Sequence, residues 1–207
     1  MPLQDMHVDT NLVRIRKRLL GESAGKRLLY IGFGEGQNLR YLAEEGFLCF
    51  GTEMSLGRVR HARAQFKKAG QRAVLCAVDS HKLPFPDNYF DIVIAWQSLY
   101  YNDRAGLIRS LQEVRRVLAS GGIFISSMLS VKHTLCGKEI APSVFRPANV
   151  PPQRKCTLYC FKTKKDIQAL YRNFTEIQIG FYAQSLFKSF DYHYVIFCKK
   201  RKTASDG

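Results

Sequence analysis

A doubly wound α/β fold with a mostly parallel sheet is the architecture this sequence predicts. Short apolar runs alternate with segments whose apolar residues recur at helical spacing. One of those runs, Phe90 to Ala95, is continuous and rich in β-branched residues, which suits a parallel strand buried on both faces. A glycine turn, Gly32-Phe33-Gly34-Glu35-Gly36, joins the first run to a helical segment. With 207 residues, 46% of them hydrophobic, the chain is long enough for one domain with a full core.

The elements follow in order. Within residues 1–25, Leu12 to Leu20 carries apolar residues amid basic ones at amphipathic spacing, and Gly21 ends that helix. Residues 26–130 form the core. Arg27 to Ile31 is a strand, the glycine turn follows, and Leu39, Leu42 and Ala43 mark a helix that stops at Gly46. Phe47 to Thr52 is the second strand, ending on Glu53. Ser55 then caps a helix whose Val59, Ala62, Phe66 and Ala69 face inward while its arginines face out. Ala73 to Val78, ending on Asp79, and Phe90 to Ala95 are the third and fourth strands. Asp103 to Leu118 is a helix stopped by Gly121-Gly122, and Ile123 to Met128 is the fifth strand.

Residues 131–160 hold four of the seven prolines and little periodicity, so they read as a substrate loop or lid over one edge of the sheet. In 161–200, Lys164 to Tyr171 is helical, and Phe174 to Tyr182 and His193 to Cys198 are strands too closely joined for a crossover, hence antiparallel. Residues 201–207 are a basic tail.

Gly32 permits a tight exit from the first strand, Gly34 lets a ligand approach the backbone, and Gly36 opens a helix N-terminus. A dinucleotide fingerprint would place a third glycine where Gln37 stands, and no Gly-Lys-Ser/Thr follows to make a phosphate-binding loop. Glu53 lies seventeen residues beyond Gly36, where a carboxylate can take two ribose hydroxyls. In a parallel sheet, Glu53, Asp79, Trp96 and the glycine turn share one edge. Each has a local alternative, Glu53 beside a helix start and Asp79 in a turn, but their coincidence at consecutive strand ends favours one crevice.

Three segments extend this pattern: Leu28 to Gly36, the stretch from Asp79 through Leu83-Pro84-Phe85-Pro86-Asp87 to Ile94, and Glu113-Val114-Arg115-Arg116-Val117-Leu118-Ala119-Ser120-Gly121-Gly122. In content, order and spacing the chain here resembles the class I S-adenosylmethionine-dependent methyltransferases of small-molecule type, over roughly residues 26 to 130. The resemblance implies a Rossmann-like seven-stranded sheet, mostly parallel with an antiparallel C-terminal strand, and S-adenosyl-L-methionine as cofactor. It implies Glu53 at the ribose, Asp79 with Ser80 at the adenine, and Gly32, Gly34 and Gly36 at the methionine moiety. Tyr30, Phe33, Asn38, Met54 and Trp96 complete the cofactor-binding set. The family usually places an acidic residue two positions before the first glycine, to hold the cofactor's ammonium. This chain has Tyr30 there, leaving Glu35 or a backbone carbonyl for the task, and Phe33 makes the turn bulkier.

Methyl transfer asks the protein chiefly to align acceptor and methyl group. Tyr100 and Tyr101, leaving the fourth strand, and His133 are the candidates to orient or deprotonate an acceptor; His193 reads as structural and His81 as a surface or adenine-side residue. Lys132, Lys138, Arg146, Arg154 and Lys155, interleaved with Phe145 and Tyr159, suit a small anionic acceptor such as a sugar or glycan precursor. The net charge of +15 also raises an RNA or protein acceptor, but the cations are scattered, no RNA-binding motif accompanies them, and nucleic acid is not favoured. A binding module of the same fold without catalysis is the remaining alternative. Six cysteines without zinc-site spacing read as buried thiols, so no metal is expected. No apolar run spans a bilayer and the first ten residues lack a signal-peptide pattern, so a cytoplasmic location is expected.

Overall fold

The structure, a computed structural model, describes residues 8–148, 150, 156–187 and 189–202. Strands β1 (Arg27–Ile31), β2 (Leu48–Glu53), β3 (Ala73–Ala77), β4 (Phe90–Ala95) and β5 (Leu118–Ser130) stand in the order β3-β2-β1-β4-β5, all parallel. The three strands numbered β6 to β8 lie in 131–160 and are described below. At the far side, β10 (Ser189–Lys199) runs antiparallel along β5, and β9 (Thr175–Leu186) antiparallel along β10. These are the seven strands of the predicted sheet. The chain moves outward from β1 to β3 and then returns to lay β4 on the other side of β1. That reversal opens a crevice at the carboxyl ends of β1 and β4.

Helices cover both faces because successive strand residues point to opposite sides. Leu28, Tyr30, Ile92, Ile94 and Trp96 pack with Leu12 of α1 (Thr10–Leu19), Leu39 and Leu42 of α2 (Gln37–Glu44), and Val59, Ala62 and Phe66 of α3 (Leu56–Lys68). Leu29, Ile31, Val93 and Ala95 pack on the other face with Leu107, Leu111 and Val114 of α4 (Arg104–Val117) and Ile167 of α5 (Lys164–Leu170). Each large apolar side chain so buried stabilises the fold by roughly 1.5 to 3 kcal/mol. The cap on α3 is as predicted, Ser55 Oγ accepting from the Arg58 amide at 3.3 Å. Helix α1 starts two residues before the predicted Leu12, because Asp9 accepts from the amides of Asn11 and Leu12 at 2.8 and 3.3 Å.

The segment 131–160 differs from an irregular loop. It contains β6 (Cys136–Ala141), β7 (Val144–Pro147) and β8 (Leu158–Phe161). β8 continues the sheet beyond the end of β4, pairing with the last residues of β5, Leu129 with Cys160 and Ser130 with Phe161; β7 and β6 add antiparallel. The amide of Tyr159 donates to the Tyr100 carbonyl at 2.8 Å, tying this flap to the exit of β4. Strands of four residues are too short to display a period, and Pro142 and Pro147 fall in the turn and at a strand end, where proline is tolerated. Arg154 and Lys155 lie outside the described residues.

Candidate active site

The glycine turn leaves β1 with its first two amides donating to the Thr52 carbonyl, Gly32 at 2.7 Å and Phe33 at 3.3 Å. Gly32 has φ 71°, and a Cβ there would collide with Ser98 Cβ, so the turn and the β4 exit touch directly. Gly34, at φ 59°, has nothing within 4 Å of its would-be Cβ, leaving its face open. Phe33 does not bulk the turn as its size suggests. Its ring is buried beneath β2, where Gly51 leaves room for it.

A cleft of about 640 Å³ opens over this edge, lined among others by Gly32, Gly34, Glu53, Met54, Asp79 and Ser80. Glu53 is nearly buried at 9% exposure; its Oε2 accepts from the Gly34 amide and its Oε1 from the Ser55 amide, each at 3.1 Å. A carboxylate has about four lone-pair positions, so two remain for a ligand's hydroxyls. Asp79 Oδ1 accepts from the His81 amide at 2.9 Å and lies 3.2 Å from the His81 ring. Ser80 Oγ lies 2.9 Å from Ser110 Oγ of α4. Arg58 also lines the cleft, 3.2 Å from Glu35 and 3.9 Å from Glu53.

Besides Phe33, four residues of the expected cofactor set stand outside the cleft lining. Gly36 caps α2 against Ala62 of α3. Tyr30 is buried, its hydroxyl accepting from Asn38 Nδ2 at 3.1 Å, and burial pushes its phenol well above the usual range. Trp96 is buried and donates Nε1–H to Asp9 Oδ2 at 2.9 Å, while Asn38 Oδ1 accepts from the Asp9 amide at 3.0 Å. Asp9 escaped the sequence reading because it lies 87 residues from Trp96, although an aspartate opening an amphipathic helix signals a cap.

Beside Trp96 the chain bends sharply. Gln97 adopts φ 52°, its amide donates to Ser127 Oγ at 2.7 Å, and its Nε2 donates to Tyr182 Oη at 3.0 Å. Such backbone strain persists where surrounding contacts over-determine it. Of the three acceptor candidates, Tyr101 lines the cleft and is half exposed. Tyr100 is buried with its ring 4.6 Å from that of Tyr101, and burial holds its phenol protonated well above the ordinary range. His133 points its Nδ1 at the Leu135 amide, 3.0 Å, and its Nε2 at Asp191, 3.4 Å, so both nitrogens are engaged inside the fold. His193, which the sequence marks as structural, packs on Tyr182 and His133 with centroids 4.8 and 4.9 Å away. Its Nδ1 is buried without a partner among the described residues, and burial pushes its pKa down to about 3. Among the described residues no group of His, Cys, Asp or Glu is gathered as a metal site. No helix among them is long and apolar enough to cross a membrane.

The fold is that of the Rossmann-like class I methyltransferases. Residues 29–126, a little under half of the chain, match the family described as Methyltransferase domain, and over this part the chain is similar to the class I S-adenosylmethionine-dependent methyltransferases. The chain is 36% identical over 116 residues to the 27-O-demethylrifamycin SV methyltransferase of Amycolatopsis mediterranei, covering 53% of this chain and 42% of that one. It is 30% identical over 128 residues to the ubiquinone/menaquinone biosynthesis C-methyltransferase UbiE of Bordetella avium, covering 58% and 45%. The chain thus spans under half the length of these curated relatives. A solved methyltransferase structure from Methanosarcina mazei superposes with TM-score 0.76 at 21% identity, over 91% of this chain and 98% of that one. The 1,6-didemethyltoxoflavin-N1-methyltransferase of Burkholderia thailandensis, solved with bound 1,6-didemethyltoxoflavin and S-adenosylhomocysteine, gives 0.72 at 16% identity, covering 93% and 78%. The cofactor that the family match supports is S-adenosyl-L-methionine. The open face of Gly34 and the two unused lone-pair positions of Glu53 fit it.

Proposed function

We propose that the chain transfers a methyl group from S-adenosyl-L-methionine to a small acceptor bearing a ring. The observation that carries this reading is the Gly34 amide held by the Glu53 carboxylate at 3.1 Å, inside a cleft large enough for a nucleoside and its side arm. Glu53 holds the ribose hydroxyls, Met54 flanks them, Asp79 and Ser80 take the adenine edge, and Gly32 and Gly34 admit the thioether arm. Phe33, Gly36, Tyr30, Asn38 and Trp96 act from behind, by holding the turn and the two strand ends in place. Bound there, the cofactor supplies an activated methyl group.

Tyr101 orients the acceptor at the cleft wall, and Tyr100 and His133 support that wall from within. The half-exposed ring of Tyr101 at the cleft wall favours an acceptor with a flat or saturated ring. A sugar or glycan precursor belongs to that class. An acidic group on it is supported by the net charge of +15 and by exposed Lys138 and Arg146 of the flap. Lys132 contributes less, since it lies 5.7 Å over Tyr192, next to His193 in the same strand and therefore on the opposite face. The O- and C-methyltransferase relatives named above act on small molecules by their names, which supports the same class. An RNA acceptor is not favoured, because Arg58 is the one Lys or Arg among the residues lining the cleft. A cytoplasmic setting belongs to the same proposal; it suits the free thiols of the six cysteines.

The test is methyl transfer from methyl-labelled S-adenosyl-L-methionine to a panel of hydroxylated ring compounds and sugars, with and without carboxylate or phosphate. Label in a small-molecule product supports the reading. Label entering only added RNA or protein would overturn it.

A further inference from the structure

Cations that look scattered along the sequence gather on one side of the fold. From Met54 to Val78 the chain carries six lysines and arginines, Arg58, Arg60, Arg63, Lys67, Lys68 and Arg72, and no aspartate or glutamate. All six are exposed. Helix α3 buries Val59, Ala62 and Phe66, which leaves Leu56, Arg60, Arg63 and Lys67, at helical spacing, as a stripe along its flank. β3 is the edge strand of the sheet. A groove of about 420 Å³ runs between it and α3, and the charged residues lining that groove are Arg63, Lys67 and Arg72.

Two of the six are answered within the fold. Arg58 lies 3.2 Å from Glu35 and 3.9 Å from Glu53, and Arg63 donates to the Leu75 carbonyl at 2.5 Å. The side chains of Arg60, Lys67, Lys68 and Arg72 make no ion pair or hydrogen bond among the described residues. Glu44, which accepts from Gln71 at 3.0 Å, is matched by Arg40 at 3.7 Å. Uncompensated cations around one groove suit clustered phosphates, which each can meet with charge-assisted hydrogen bonds.

Charge alone does not choose between a nucleic acid and a lipid surface, but the neighbouring side chains do. Met54, Leu56 and Val74 stand among the cations at 74%, 49% and 51% exposure. Phe66, the one Phe, Tyr or Trp between Met54 and Val78, is buried and cannot stack on a base. Exposed apolar residues interspersed with lysine and arginine fit the headgroup boundary of a bilayer, where cations meet phosphates and apolar side chains leave water. Arg63 occupies the Leu75 carbonyl on the open edge, which disfavours an added strand from a peptide or a second copy.

We propose that the flank of α3 and the edge of β3 dock the protein on a bilayer rich in anionic phospholipid, with headgroup phosphates held at the groove by Lys67, Lys68 and Arg72. Met54 and Arg58 also line the cleft, so docking by this flank brings one rim of the cleft to the lipid surface. Docking of this kind stands whether or not the cleft transfers methyl groups.

Flotation with vesicles of phosphatidylcholine, alone or with an equal share of phosphatidylserine, measures it. Wild type is compared with the triple variant Lys67→Gln, Lys68→Gln, Arg72→Gln and with the triple variant Arg14→Gln, Lys17→Gln, Arg18→Gln, which removes the same charge from α1. All six side chains are exposed and none makes an ion pair or hydrogen bond among the described residues, so both variants should fold as wild type does. Wild type is expected to bind the anionic vesicles at least about tenfold more tightly than the neutral ones. The α3 variant should lose about tenfold of that affinity, and the α1 variant less than about threefold. Equal losses in the two variants would show that net charge alone is responsible and would overturn the proposal. Wild type showing no preference for anionic vesicles, or binding polyuridylate more tightly than those vesicles at the same salt, would overturn it as well.

Discussion

Phe33 and Gly51 share one volume: a Cβ on Gly51 would stand 2.6 Å from Phe33 Cδ1 and 2.7 Å from Leu39 Cδ2. The bulky residue of the glycine turn is therefore accommodated from the neighbouring strand, and the cleft above stays clear. Gly51→Ala should cost about 1 to 3 kcal/mol through overpacking. Denaturant unfolding measures it, and the double variant Gly51→Ala, Phe33→Ala should recover part of the loss. Additive losses would show that the two positions do not compete for space.

Gly34 separates folding from binding. Its φ of 59° strains any side chain, but nothing lies within 4 Å of the added Cβ. Gly34→Ala should fold with a loss of about 1 kcal/mol, the cost of a left-handed non-glycine residue. The new methyl projects where we place the thioether arm, so calorimetry should find S-adenosylhomocysteine binding abolished or weakened at least about tenfold.

Glu53→Ala removes the two free lone-pair positions and leaves the Gly34 and Ser55 amides without their acceptor. Cofactor binding should weaken by about 1.5 to 3 kcal/mol, the scale of charged hydrogen bonds. Unchanged affinity for S-adenosylhomocysteine would remove the ribose assignment.

The Leu83 to Asp87 turn is held to α4 by Arg116 and Glu113. Arg116 donates to Glu113 at 2.7 and 2.8 Å, to the Leu83 and Phe85 carbonyls and to Asp87, while Glu113 Oε2 accepts from the Leu83 amide at 2.7 Å. The Arg116 hydrogen bond, then the Leu83 amide, hold the Glu113 carboxyl below the usual carboxylate range. A depressed folded value means that the stabilisation is complete above the unfolded pKa of about 4.3 and is lost as pH falls through the folded value. Glu113→Gln should therefore cost about 1 kcal/mol at neutral pH, a figure kept small by solvent screening of Arg116. In acid strong enough to protonate Glu113 in the folded wild type, the cost should shrink. Urea unfolding at several pH values follows it, and a cost independent of pH would contradict the assignment.

The parts legible in sequence are those whose determinants are local. Apolar runs, helix caps such as Ser55 and the residues closing consecutive strands all announce themselves within a few positions, and a parallel sheet gathers those strand ends by topology alone. What was not legible depends on pairs distant in the chain. The direction of the Phe33 ring is set by a missing side chain at Gly51. The engagement of both His133 nitrogens depends in part on Asp191, 58 residues away, and the reach of Asp9 to Trp96 spans 87 residues. The flap strands are short and paired to the end of β5 over two residues, so no periodic pattern marks them.

The central claim is that this crevice binds the cofactor despite Tyr30, and titration of S-adenosylhomocysteine into the wild-type chain by calorimetry tests it most directly. The account predicts saturable binding at a single site per chain. Heats that never exceed those of dilution, up to millimolar ligand, would contradict it.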